Sequence, residues 1–217
     1  MILEDQHEKK SWGLLFLVGV CLSISQFVMI RDFVTILYGE EVVIILVTAA
    51  FFAGMSIGYL LALRFSRRVF ELLFLGSAFL HLTFPFSYRY LAVWMSSLDQ
   101  GGPGFLALTF GYALIFGSMF AAFLPRLIHK KSSGSDPVPH LRKLYSFELL
   151  GFLAGFLIVA WSWNRSLDVL LPVYWIILAV IVQLVLGSKG WTCAYIGIAC
   201  LLSLQLKEID LQSSTRL

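Results

Sequence analysis

The chain has 217 residues, 59% hydrophobic and 13% charged, with a net charge of +3 at neutral pH and a mean hydropathy of +0.85. A soluble domain averages roughly half apolar residues and about a quarter charged, so this composition excludes a water-solvated exterior and calls for lipid. The few basic residues lie in short loops beside apolar runs, which excludes a nucleic-acid footprint and reads as an orientation signal.

A helix needs about 20 apolar residues to cross the hydrocarbon core, and the expected fold is an all-α, polytopic transmembrane bundle. A cytoplasmic tail, 1–11, carries Lys9 and Lys10 ahead of an apolar run that opens at Trp12. That run outlasts a signal-peptide core and ends without an A-x-A-like cleavage site. It also lacks the small residue a lipoprotein signal places before its cysteine, since Val20 precedes Cys21. It is therefore the first span, 12–37. The others are expected near 41–63, 69–87, 104–125, 144–163, 168–186 and 190–206, followed by a polar tail, 207–217. If 190–206 does not cross, the spans number six. Continuous apolar runs favour helices over a barrel, whose strands alternate.

Between spans, turn residues and charges interrupt the apolar pattern: Tyr38-Gly39-Glu40-Glu41, Arg64 to Arg68, Gln100-Gly101-Gly102-Pro103, Asn164-Arg165 and Gly187 to Gly190. Residues 88–98 carry Tyr88, Tyr90 and Trp94 and read as an interfacial helix or the end of the third span. The linker 126–143, with its polar stretch 131–140, reads as a flexible, solvated connection.

With the N-terminus inside, Lys9, Lys10, Arg64, Arg67, Arg68, Arg126, Lys130, Lys131, Arg142, Lys143 and Lys189 fall on the cytoplasmic side. Arg31, Arg89, Arg165, Lys207 and Arg216 fall opposite. Eleven against five predicts a cytoplasmic N-terminus and, with seven spans, an external C-terminus.

Candidate functional residues are few. Gly54-Met-Ser-Ile-Gly58 and Gly151-Phe-Leu-Ala-Gly155 are GxxxG patterns, in which two glycines on one helix face admit a neighbouring backbone. Glu148 shares a face with Gly151 and Gly155. An acid inside a span is a functional candidate unless it snorkels or pairs, here with Arg126, Arg142 or Lys143. Gln26, Arg31 and Asp32 occupy the outer half of the first span, too far along it for Arg31 to meet Glu148. Glu40 and Glu41 open the second span, where acids suit the helix dipole and also form an acidic outer mouth. His81 reads as a packed, hydrogen-bonded core histidine. Cys21, Cys193 and Cys200 lack metal or redox spacing and read as packing residues. No metal ligand set, cofactor motif or catalytic constellation is expected.

Several segments together resemble the membrane domain of spermidine synthase-like proteins. Ser25-Gln-Phe-Val-Met-Ile-Arg31-Asp-Phe, Tyr38-Gly-Glu-Glu41 and Ala53-Gly-Met-Ser-Ile-Gly58 resemble its first two spans. Gly117-Ser-Met-Phe-Ala-Ala-Phe-Leu-Pro125 looks like its fourth, and Tyr145-Ser-Phe-Glu148-Leu-Leu-Gly151-Phe-Leu-Ala-Gly155 like its Tyr-x-x-Glu-x-x-Gly helix. The similarity covers most of 12–160. Two pairs depart from it: Glu40-Glu41 stands where the family has Asn-Glu, and Arg31-Asp32 where it has Arg-Glu. Members commonly add a Rossmann-like aminopropyltransferase domain, whose glycine loop and catalytic acid have no counterpart here. A full major-facilitator transporter is not expected either, because the loop after the second span lacks that class's Asp.

A chain of spans with small-residue faces and few buried polar groups leads to the expectation of a non-catalytic membrane subunit or scaffold of a larger complex, the membrane module of the spermidine synthase-like family, with other membrane subunits as partners. Short loops and no import signal suit a bacterial cytoplasmic membrane. Two alternatives stand beside it. One is a small transporter or binder of a cationic solute such as a polyamine, using Glu148, Gln26, Glu40 and Glu41. The other is the membrane half of a split aminopropyltransferase-like enzyme.

Overall fold

The computed structural model describes residues 2–37, 40–99, 102–126, 137–162, 167–187 and 189–214. These form seven helices and no strand among the described residues: α1 (Ile2–Leu37), α2 (Glu40–Leu61), α3 (Arg67–Asp99), α4 (Pro103–Ala121), α5 (Pro137–Ser162), α6 (Leu167–Leu186) and α7 (Lys189–Ser214). A short helical turn at 123–126 extends α4. Five stretches are long and apolar enough to cross a bilayer: Lys10–Arg31, Glu41–Leu61, Pro103–Arg126, Leu141–Ser162 and Val169–Leu186. In α7 the apolar part is shorter, Gly190–Ser203.

Helix ends follow local chemistry where they are described. Pro103 opens α4 after an extended Gly102, at the first-turn position where its missing N–H costs nothing. Gly187 ends α6 with φ +66, and its N–H returns to the Gln183 carbonyl at 3.0 Å, a left-handed cap that a side chain would strain. Two boundaries differ from expectation, and a third takes one of its two expected forms. Residues 2–11 continue α1 as helix rather than forming a separate tail. Residues 88–98 belong to the same helix as the third span, because α3 runs unbroken to Asp99. The presumed linker is helical from Pro137 onward, since a proline is tolerated in the first turn of a helix and Leu141–Ser162 carries it straight into the span. The remaining interruptions at 38–39, 100–101, 127–136, 163–166 and 188 lie outside the described residues.

Two helix pairs dominate the packing, α1 with α5 and α2 with α4. Both close at glycines. A Cβ on Gly19 would lie within 3.0 Å of the backbone of Glu148 and Phe152, and one on Gly151 would strike the backbone of Phe16. At Gly155 it would sit 2.8 Å from the Val20 carbonyl oxygen. In the second pair, Gly54 faces the Leu114 backbone, Gly58 faces Ser118, and Gly117 faces Phe51. The sequence numbers rise together across the first pair, and from Gly54–Leu114 through Gly58–Ser118 to Ala62–Arg126 across the second, so α1 runs parallel to α5 and α2 parallel to α4.

The third helix is held differently. Phe70 meets Phe123, Phe74 meets Phe120 and Phe123, His81 meets Phe116, and Phe84 meets Tyr112. One number rises as the other falls, so α3 runs antiparallel to α4 along an aromatic ladder. Ser87 Oγ and Tyr112 Oη close its far end at 2.7 Å. From Phe70 to Ser87 the ladder rises about 26 Å, so α3 accompanies the span formed by α4 over most of its depth.

These directions alternate along the chain, as successive crossings require. They also gather Lys10, Arg64, Arg68, Arg126, Arg142 and Lys143 at one end of the bundle and leave Arg31 at the other. The most buried element is α1, with 72% of its apolar window inside the bundle against 28% for α5. It touches α2, α4, α5 and α6.

Because backbone rather than a flexible side chain faces the missing Cβ, Gly151→Val should destabilise the bundle by roughly 1–3 kcal/mol. Gly13→Ala and Gly111→Ala, whose new atoms meet nothing within 4 Å, should leave it unchanged. Thermal unfolding in mild detergent measures both; a Gly151→Val melt matching the parent would refute the close α1–α5 crossing.

Candidate functional site

Glu148 is 4% exposed on the inward face of α5, one turn before Gly151. Its own carbonyl oxygen faces Gly19 of α1. Its carboxylate faces Tyr59 of α2, whose hydroxyl lies 3.4 Å from Oε1 and 3.5 Å from Oε2 and donates to them. These are long hydrogen bonds. Together they link the α1–α5 pair to the α2–α4 pair, since Tyr59 follows Gly58 directly in α2.

The cations expected to pair with Glu148 stand elsewhere. Arg126 donates from Nε to the Ala62 carbonyl at 2.8 Å and from Nη2 to the Phe65 carbonyl at 2.6 Å. Its guanidinium lies 3.8 Å over the Phe70 ring. It thus satisfies carbonyls left open where α2 ends and fastens the turn into α3. Arg142 and Lys143 are exposed at the start of the α5 span. Among the described side chains, a neutral hydroxyl rather than a cation meets the buried acid.

The outer candidates do not join Glu148. Gln26 is buried on α1, seven residues beyond Gly19, which is about 10 Å along the helix. Arg31 is exposed a further turn and a half on, about 18 Å from the level of Gly19. Glu41 is exposed at the start of α2. The side chains of Asp32 and Glu40 lie outside the described residues. The expected acidic outer mouth of Glu40 and Glu41 therefore lies in part outside the described side chains.

A second polar centre lies deeper. His81 is fully buried, hydrogen-bonded through Nδ1 to the Tyr174 hydroxyl of α6 and packed 4.1 and 4.5 Å from the Phe116 and Phe120 ring centres. Ser25 of α1 flanks the same tyrosine. His81 Nε2, Ser77 Oγ and the Tyr195 hydroxyl are buried without hydrogen-bond partners. Sequence reading gave His81 this packed role but missed Tyr174, as it missed Tyr59, because neither tyrosine belongs to a motif and each partner is distant in the chain. Gly19 and Gly117 were also missed. They have no second glycine four residues away, so neither belongs to a GxxxG pattern.

Among the described residues, no group of three or more His, Cys, Asp or Glu side chains is placed to hold a metal ion. Of the three cysteines, Cys21 is buried in the core while Cys193 and Cys200 are exposed, and none is disulfide-bonded. No protein-family model, curated protein or solved structure matches the chain.

Should Tyr59 and Glu148 be coupled as described, a Tyr59→Phe/Glu148→Gln double-mutant cycle will show a coupling of roughly 0.5–1.5 kcal/mol. Reversible unfolding in mixed detergent gives the four free energies. Additive effects would mean that the two side chains do not interact.

Proposed function

We propose that the chain is a non-catalytic membrane subunit, a scaffold within a larger assembly, of the kind its resemblance to spermidine synthase-like membrane modules suggests. We place it in a bacterial cytoplasmic membrane with the N-terminus inside. The observation that carries the reading is the use made of Glu148. The residue best suited to solute chemistry lies against the α1 backbone and under the Tyr59 hydroxyl, where it joins two glycine-locked helix pairs. An acid in that position favours a rigid platform over a moving pathway. Meanwhile α5 offers an apolar outer face, with Leu149, Leu153, Phe156, Leu157 and Trp161 exposed along its length. Such a face suits either lipid or a neighbouring helix.

Extraction in gentle detergent should co-purify a stoichiometric partner. A second reading, a small transporter of a cationic solute, draws on the same carboxylate, because a buried acid without a cationic partner is costly. Proteoliposomes separate the two. Polyamine uptake that exceeds empty vesicles and collapses in Glu148→Gln, from a protein that purifies alone and monodisperse, would replace the subunit reading with the transporter one.

The orientation follows from the basic end of the bundle, since Lys and Arg are retained on the cytoplasmic side. In a cysteine-free background, an impermeant maleimide added to intact cells should label Gln100→Cys and spare Ser66→Cys until the membrane is opened. The reverse pattern would invert the topology.

A further inference from the structure

We propose that the groove between α2, α3 and α4 seats one acyl chain of an anionic phospholipid whose headgroup is met by Arg64 and Arg68. The groove has a volume of about 400 Å³ and is walled by Ile57, Leu61, Leu72, Leu80, Ile115 and Met119. Gly76 lies on its α3 wall, and a Cβ there would meet nothing within 4 Å. Along α3 it runs from Leu72 to Leu80, about 12 Å.

Size and charge choose the occupant. A single extended chain of methylenes fits a slot about 12 Å long. Apart from Ser77 and Ser118 the lining is apolar, so it offers a polar solute little to bond.

At the mouth stands the turn between α2 and α3. Phe65 of this turn lines the groove, and its neighbours Arg64 and Arg68 are exposed. Arg126 fixes the turn through the Ala62 and Phe65 carbonyls and adds a third positive charge beside it. Glu71 is the acid on this stretch, and it already has an interaction of its own. An apolar slot beneath a cluster of arginines is the complement of a phospholipid with a negative headgroup. Juxtamembrane arginines attract such lipids, most strongly in the anionic cytoplasmic leaflet.

Native mass spectrometry of the whole chain released from nanodiscs holding equal phosphatidylglycerol and phosphatidylcholine of matched chains tests this. The protein should retain one phosphatidylglycerol several-fold over phosphatidylcholine. Arg64→Gln/Arg68→Gln should bring that preference close to parity, while Arg31→Gln, at the opposite end of the bundle, leaves it intact. Gly76→Leu, which projects into open space, should abolish retention of either lipid. Equal retention of both lipids by the parent protein would overturn the proposal. So would a preference that survives the arginine substitutions, or one that survives Gly76→Leu. If the double variant does not fold, Arg64→Gln alone and Gly76→Leu decide the matter on the same readout.

Discussion

Contact between main chains at glycine is the constraint from which the rest of this bundle follows. Two apolar helices already surrounded by hydrocarbon gain nothing from hiding leucines against each other, so association must come from close packing and from weak Cα–H to carbonyl contacts. Gly19, Gly151 and Gly155 provide that closeness between α1 and α5, and Gly54, Gly58 and Gly117 between α2 and α4. Each crossing brings carbonyl oxygens to where a side chain would otherwise stand. The two pairs are therefore rigid bodies, and the other helices are arranged around them.

The polar groups then tie together what the glycines do not. Tyr59 and Glu148 join α2 to α5, Arg126 fastens the end of α4 to the turn after α2, and His81 with Tyr174 joins α3 to α6. Each tie connects elements that are not consecutive in the chain. In hydrocarbon an unpaired acid or imidazole is expensive, so each tie also selects one arrangement of helices over others with similar apolar contact. The aromatic ladder between α3 and α4 works by area and ring geometry instead, and brings a helix bearing Arg68, Glu71 and His81 into line with the more apolar spans.

Helix number and helix type were legible in the residues because apolar runs of this length have few alternatives in a membrane. The GxxxG patterns pointed to two of the crossing faces, and the depth argument separating Arg31 from Glu148 agrees with the helix geometry. Less legible was which helix each face would meet. Nothing local in Gly151-Phe-Leu-Ala-Gly155 says that Phe16 lies opposite, and nothing in Tyr59 marks it as the neighbour of an acid 89 positions away. The start of α5 was missed for a different reason: a proline and polar residues resemble a linker, although a proline in a first turn is compatible with helix. Glu148 illustrates the general limit. Its burial could be anticipated from its position, but its partner depended on tertiary packing.

The central place of α1 carries a consequence for biogenesis. It leaves the ribosome well before α5, which completes its glycine face and emerges more than a hundred residues later. During that interval Gly19 and the Phe16 carbonyl have only lipid or an insertion factor beside them. The high apolarity of Lys10–Arg31 lets the segment wait in the bilayer unaided, with its glycine face open until α5 arrives.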